Sequence, residues 1–352
     1  MKVLSTLNVP PAKVSADLHR ILIAISGESR LRFEAQFDSQ LFSGHVHQWI
    51  DFSSASKQAW QNTLEEFAPT ILMTGWETPP IPESLASSER FPLRYLCHLM
   101  GTVRSIVPRV LLERGVLVSN WGRHVAPAVA EHSLLLLLAG MRNVPAWGEA
   151  LINWPKGGYG AIDLGVRSLR GRRIGVHGFG AVAREAVPLL HAFGAQVAAY
   201  SPGVPEAHFI EYGVTQCKTL NELFSGSDAV IECEALNEQS RGAVTERLLR
   251  LLPPGAVFVN VGRGAIVDEG ALVRLAREGR LRVALDVFSA EPLASDSELR
   301  NLPGVFLSPH IAGPTQDGFF AIFRAAMENI RRFVDGDEID GRVTLEAYDR
   351  AT

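Results

Sequence analysis

The chain has 352 residues, 47% of them hydrophobic and 20% charged, and carries a formal net charge of −4. That apolar share excludes a chain disordered for lack of burial, and the length suits two domains with sizeable cores. The slight acidic balance leaves no electrostatic footprint for nucleic acid or an anionic membrane surface, so neither is expected as a partner.

The first residues, interrupted by Pro10 and Pro11, make a poor signal peptide, and the apolar run at 134–139 falls far short of the roughly 20 residues that span a bilayer. Strand-length apolar runs follow at Ile21-Leu22-Ile23-Ala24-Ile25, Thr70-Ile71-Leu72-Met73 and Arg94-Tyr95-Leu96-Cys97-His98-Leu99. Pro79, Pro80, Pro82 and Pro92 punctuate the stretch between the last two, which predicts loops and short helices. From about residue 126 the texture changes. Residues 127–143 read as a long helix with Pro127 suited to its first turn, and 147–170 as a loop holding Trp147, Trp154, Gly157, Gly158 and Gly160. The basic run Arg170-Gly171-Arg172-Arg173 reads as a solvated start to a strand.

Strands and helices then alternate. Strands are expected at 173–177, 196–200, 228–231, 256–260 and 283–286, helices from Ala181 and over 318–334. Near-continuous apolar strands alternating with helices predict an α/β doubly wound parallel sheet covered on both faces. This nucleotide-type unit spans about 125–315, and the last helix packs back on what precedes it. Cys97, Cys217 and Cys233 have neither paired nor metal-ligand spacing, which predicts a reducing, cytoplasmic setting and no metal centre.

Gly178-Phe179-Gly180-Ala181-Val182-Ala183 links the 173–177 strand to the next helix with the spacing G-x-G-x-x-A. The first glycine permits a tight turn, the second lets a pyrophosphate approach the backbone, and the small Ala183 allows close helix–strand packing. Pro188 inside that helix is expected to kink it or shorten its regular part. The next strand should end in an acid for the ribose hydroxyls of NAD, but Ser201 stands there. Neither lysine nor arginine occurs in 201–209 to attract the 2′-phosphate of NADP, so NAD is favoured while NADP stays open.

Three later stretches carry more. They are Val261-Gly262-Arg263-Gly264, Asp286-Val287-Phe288-Ser289-Ala290-Glu291-Pro292, and Ser308-Pro309-His310-Ile311-Ala312-Gly313. In order and wording they resemble the signature segments of the D-isomer-specific 2-hydroxyacid dehydrogenases, with the resemblance convincing from about 110 to 340. It implies a two-domain protein, a Rossmann-type sheet (125–315) inserted into a smaller flavodoxin-like α/β substrate domain (1–124 and 316–352). It implies interconversion of a 2-keto acid and a D-2-hydroxy acid by hydride transfer, and a homodimer in which the apolar 134–139 segment is one candidate contact, though burial within one subunit explains those leucines equally well.

The resemblance also implies roles. Arg263 matches a substrate-binding arginine whose planar fork suits a carboxylate. His310 matches the acid–base residue and Glu291 the carboxylate that pairs with it, fixing its tautomer and favouring the imidazolium. Met100-Gly101-Thr102 matches a loop that binds the substrate carboxylate through backbone amides. Asp286 matches an orienting residue near the nicotinamide. Gly178, Gly180, Ala181, Val182, Ser201, Ala235, Val261, Gly262, Arg263, Asp286, His310 and Gly313 are the residues expected around the cofactor. Two departures stand out: Arg104, either a cation at the cleft mouth or a solvated side chain, and Glu234, which could touch the adenosine but would be costly if buried without a partner.

Related architectures oxidise formate or phosphite, but a formate-type site pairs the histidine with glutamine, and Glu291 argues against that. A nucleotide-sensing corepressor of the C-terminal-binding-protein type would keep the same Arg, Glu and His; the lack of long low-complexity tails speaks against it. Substrate choice falls to the less similar N-terminal part and to 147–159.

Overall fold

The computed structural model of the chain describes residues 18–34, 37, 42–50, 57–154 and 163–350. It divides into two compact units, one of Met1–Gly122 with Phe320–Tyr348 and one of Arg123–Phe319 with Asp349–Thr352. Pro10, Pro11, Gly157, Gly158 and Gly160 lie outside the described residues.

The first unit begins with β1 (Arg20–Ala24), α1 (Gly27–Glu34), β2 (Val46–Ile50), α2 (Lys57–Phe67) and β3 (Ile71–Thr74). It continues through α3 (Glu83–Ala86), β4 (Tyr95–His98), α4 (Arg109–Glu113) and β5 (Leu117–Ser119). All strand pairs are parallel, in the order β2-β1-β3-β4-β5, the flavodoxin-like arrangement. Leu22, Leu72, Leu96 and Val118 point to one face of this sheet, where they pack with Trp60, Leu64 and Leu111 from the helices.

The second unit opens with α5 (Ala126–Arg142), whose first turn carries Pro127 and whose end is closed by Asn143 in the left-handed conformation. After a 3-10 turn at Val144–Ala146, α6 (Trp147–Ile152) forms where the sequence suggests a loop. Its large side chains Leu151 and Ile152 are exposed, so no apolar face betrays the helix. Next come β6 (Arg173–His177), α7 (Ala181–Ala192), β7 (Gln196–Tyr200), α8 (Glu206–Glu211), β8 (Thr215–Gln216), α9 (Leu220–Ser225) and β9 (Ala229–Glu232). The series ends with α10 (Glu246–Leu249), β10 (Ala256–Asn260), α11 (Glu269–Arg277), β11 (Leu281–Leu285) and β12 (Val305–Leu307). The chain then returns through α12 (Gly318–Asp335) to the first unit, where Phe323 stacks on Phe33 and Phe333 on Tyr95, and ends in α13 (Leu345–Arg350).

The second sheet runs β12-β11-β10-β9-β6-β7-β8, again wholly parallel. In β10, Ala256 and Phe258 enter one core while Val257 and Val259 enter the other, as the period of two demands for a sheet covered on both faces. The strand order reverses between β6 and β9, which is where a doubly wound sheet binds its ligand. The helix α7 continues four residues past Pro188 to Ala192, so the proline does not end it.

Candidate active site

Every expected cofactor residue from Gly178 to Gly313 sits just beyond the carboxyl end of a strand in the second sheet. Gly178 follows β6 with φ of +91°, and a Cβ there would lie 2.7 Å from the backbone N and Cα of Glu234, so only glycine fits. Gly180 is the N-cap of α7, no side chain caps the helix, and a Cβ at Gly180 would meet nothing within 4 Å. The first amides of α7, at Ala181 and Val182, are thus free of a side-chain cap at the positive end of the helix, beside open space. These features fit a dinucleotide pyrophosphate.

Val261 and Gly262 follow β10, and both their amides bond to the Glu232 carbonyl. Asn260 takes a bond from the Gly262 amide (2.9 Å) and donates to the Arg263 carbonyl (3.2 Å), which shapes the turn that presents Arg263. Gly264 allows the turn to press on the neighbouring loop, since a Cβ there would stand 1.9 Å from the Phe288 carbonyl carbon. Arg263 itself is exposed. The protein packed around its guanidinium lowers the pKa, and the charge of Glu291 opposes that shift, but an arginine remains cationic.

Asp286 organises the remaining chemistry. Its buried carboxylate accepts bonds from Ser308 Oγ (2.6 Å) and from the amides of Ile311 (2.9 Å) and Ala312 (2.9 Å). His132 Nε2 on α5 lies 3.4 Å from Asp286 Oδ1 and 2.9 Å from Ser308 Oγ. Burial pushes the Asp286 pKa up, but the bonds from His132, Ser308, Ile311 and Ala312 outweigh it and hold the pKa below the ordinary value. The His310 amide donates to the Asp286 carbonyl (2.9 Å), and His310 takes φ of +53°, a left-handed conformation uncommon for a side-chain-bearing residue. Asp286 thereby pins both sides of a strained turn.

From that turn His310 Nδ1 meets Glu291 Oε2 at 2.6 Å, while Glu291 Oε1 accepts the Phe288 amide at 3.0 Å. With the carboxylate accepting at Nδ1, the Nε2 edge of the ring is left to act on a ligand. A cavity of about 600 Å³, lined by Phe288, Pro292, Leu307 and this pair, adjoins them. Gly313 lies against Val125 at the start of α5. Sequence reasoning does not single out His132, Ser308 or Asn260. A histidine inside a leucine-rich helix is the only hint, because Ser308, which it meets, lies 176 residues on.

In the first unit, Met100-Gly101-Thr102 follows β4 at the carboxyl edge of its sheet. The Met100 carbonyl accepts from the Trp121 amide (3.2 Å) and the Gly101 carbonyl from Asn120 Nδ2 (2.6 Å). The Gly101 and Thr102 amides find no partner among the described residues. Arg104 is exposed and its guanidinium lies 5.6 Å over the ring of Tyr348.

The switch point of the second sheet holds further polar groups. His177, ending β6, and Glu232, ending β9, are both buried, and Nδ1 meets Oε2 at 2.5 Å. Glu232 Oε1 accepts the Glu234 amide at 2.8 Å. Glu234 is only half-buried, and Ser201 Oγ donates to its Oε2 at 3.2 Å, so it is neither a buried nor an unpartnered acid.

A doubly wound sheet with a glycine turn at its switch point defines a dinucleotide-binding protein. The model of the D-isomer specific 2-hydroxyacid dehydrogenase NAD-binding domain matches residues 134–312, just over half of the chain. The chain belongs to that family, and the cofactor of the matched domain is NAD. A glyoxylate reductase of Aeropyrum pernix is 33% identical over 232 residues, covering 63% of this chain and 68% of the relative. A D-3-phosphoglycerate dehydrogenase of Mycobacterium bovis is 31% identical over 235 residues, or 66% of this chain, and the match spans only 43% of that relative's length. In fold, a glyoxylate reductase crystal structure from Paecilomyes thermophila superposes with a TM-score of 0.75 at 23% identity, over 92% of this chain and 98% of the other. Among the described residues no helix is long and apolar enough to cross a membrane.

Proposed function

We propose that the chain is an NAD-dependent oxidoreductase interconverting a 2-keto acid and a D-2-hydroxy acid. The observation that carries this is the His310–Glu291 pair, 2.6 Å apart, on the sheet edge that also presents the glycine turn and Arg263. The glycine turn at Gly178 and Gly180 and the uncapped start of α7 would hold the dinucleotide, which when bound would supply the hydride for the carbonyl carbon. His310 gives the Nε2 proton to the carbonyl oxygen as it becomes an alkoxide, and takes it back in the oxidative direction. Glu291 holds the ring in the tautomer with Nδ1–H and steadies the imidazolium. Arg263 grips the substrate carboxylate through its planar fork. Asp286 acts as a positioning residue through the turn that bears His310.

In this reading residues 125–315 bind the dinucleotide, and 1–124 with 316–352 choose the substrate. The protein works in the cytoplasm as a homodimer; of the apolar 134–139 segment, Leu136 and Leu137 are buried in the core of their own unit, which leaves the exposed Leu135 to serve that contact. Consumption of NADH against glyoxylate, hydroxypyruvate, pyruvate and aryl keto acids tests the proposal. Turnover abolished by His310→Ala and Arg263→Ala supports it; tight NADH binding with no turnover across the panel would point to a nucleotide sensor instead.

A further inference from the structure

In a sheet of this kind the adenosine ribose is normally held by an acid at the end of the strand beside the glycine-turn strand. Here that strand is β7, and Ser201 occupies the position. The next carboxylate along, Glu206, is exposed in the first turn of α8. A carboxylate nevertheless reaches the place from the other side. β9 and β7 flank β6, and Glu234 follows β9. Because residue 178 is glycine, the backbone of Cys233 and Glu234 can lie directly over the end of β6, within 2.9 Å of where a Cβ would be. From there Glu234 Oε2 accepts the Ser201 hydroxyl at 3.2 Å and Oε1 accepts the Ala235 amide at 2.9 Å.

We propose that Glu234, delivered from β9, replaces the missing β7 acid, binds the ribose diol and selects NAD over NADP; this rests on the dinucleotide reading above. Each carboxylate oxygen keeps acceptor capacity beyond the single bond it now takes, enough for the two ribose hydroxyls. Its backbone is fixed from below, since the Glu232 carboxylate holds the Glu234 amide and is itself held by His177. A 2′-phosphate would instead meet a carboxylate, and no lysine or arginine occurs in 201–209 or 232–240 to offset the repulsion.

Direct titration of the full chain with NADH and NADPH, followed by calorimetry, tests this without turnover. The wild type should bind NADH far more tightly than NADPH. Glu234→Gln should weaken NADH by about 10- to 100-fold, the range for bonds to a charged group, and narrow the gap to NADPH. Glu206→Gln should change neither. Adding Ser201→Asp to Glu234→Gln should restore NADH affinity, which a merely structural defect would not allow. If Glu234→Gln folds and binds both nucleotides as the wild type does, the inference fails while the NAD reading stands. If the wild type binds neither nucleotide, the NAD reading itself fails.

Discussion

Among the described residues of the second unit, two histidine–glutamate pairs meet at almost the same short distance, well inside the 3.4 Å of the surface pair His208–Glu211, and have opposite surroundings. His310 and Glu291 meet at 2.6 Å with 47% and 35% of their side chains exposed. His177 and Glu232 meet at 2.5 Å with 3% and 0% exposed. The first pair stands on a left-handed turn beside a cavity; the second lies under the glycine turn, its ring stacked on Tyr200 and its spare carboxylate oxygen taken by the Glu234 amide. A bond length alone therefore does not identify acid–base chemistry. Access does: the exposed pair can exchange a proton with a ligand, whereas the buried pair has no route for one and serves to hold two strand ends and a loop.

The sharpest test of that contrast is His310→Ala. Removing a general acid–base should lower kcat/KM by about 10²- to 10⁴-fold. A side-chain pair this exposed should contribute only about 0–1 kcal/mol to stability, so the melting temperature should barely move. A large loss of stability in this variant would break the comparison. His177→Ala should behave in the opposite way. Leaving the buried Glu232 carboxyl without its partner should cost about 3–5 kcal/mol in denaturant unfolding. Replacing both residues, as in His177→Val with Glu232→Val, should recover most of that, because apolar side chains of similar bulk can substitute for a buried ion pair. Failure of the double variant to recover would mean that the pair does more than fill and fasten the switch point.

Asp286→Asn should fall between these extremes. The amide can still accept through one oxygen, but its NH₂ group must face either the Ile311 or the Ala312 amide, which leaves a buried donor unmatched. A stability loss of about 1–3 kcal/mol is expected, with a drop in kcat that reflects a displaced His310. If kcat holds while stability falls, Asp286 does not position the histidine.

The two pairs also differ in how far they can be read in the sequence. His310, Glu291 and Arg263 stand in short stretches next to strand ends, so contiguous wording is enough to find them. The His177–Glu232 bond joins residues 55 positions apart, and nothing local indicates that adjacent strands will place them side by side. The fold shows the same divide. Five strands of the second unit, β6, β7, β9, β10 and β11, are largely apolar runs and are recognisable within a residue or two, whereas the two-residue β8 is not. β2, whose Val46, His47 and Gln48 are exposed, and the three-residue β5 and β12 carry too little periodicity to announce themselves. Sheet order, and hence the meeting of Glu234 with Ser201, depends on long-range pairing that no segment encodes alone.

The smallest expected effect is on the pH dependence of stability, where Asp286 and His177 act at opposite ends. Burial works against the charged form of His177, but the charge and bond of Glu232, with the charge of Glu234, outweigh it and raise the pKa. Between the unfolded value of about 6.5 and this higher native value the folded protein holds the extra proton, so stability falls as pH rises. The contribution is complete below about pH 6.5 and disappears as pH climbs through the native value. Asp286, with a lowered pKa, contributes above its unfolded value of about 3.9 and loses that contribution as pH falls through the native value. Melting temperatures of the wild type and of the double variant carrying His177→Val and Glu232→Val should therefore converge or cross on the alkaline side, because only the wild type loses the His177 contribution there. A constant difference between the two proteins from neutral to alkaline pH would show that His177 carries no proton the unfolded chain lacks, and that the buried pair is held as a neutral hydrogen bond.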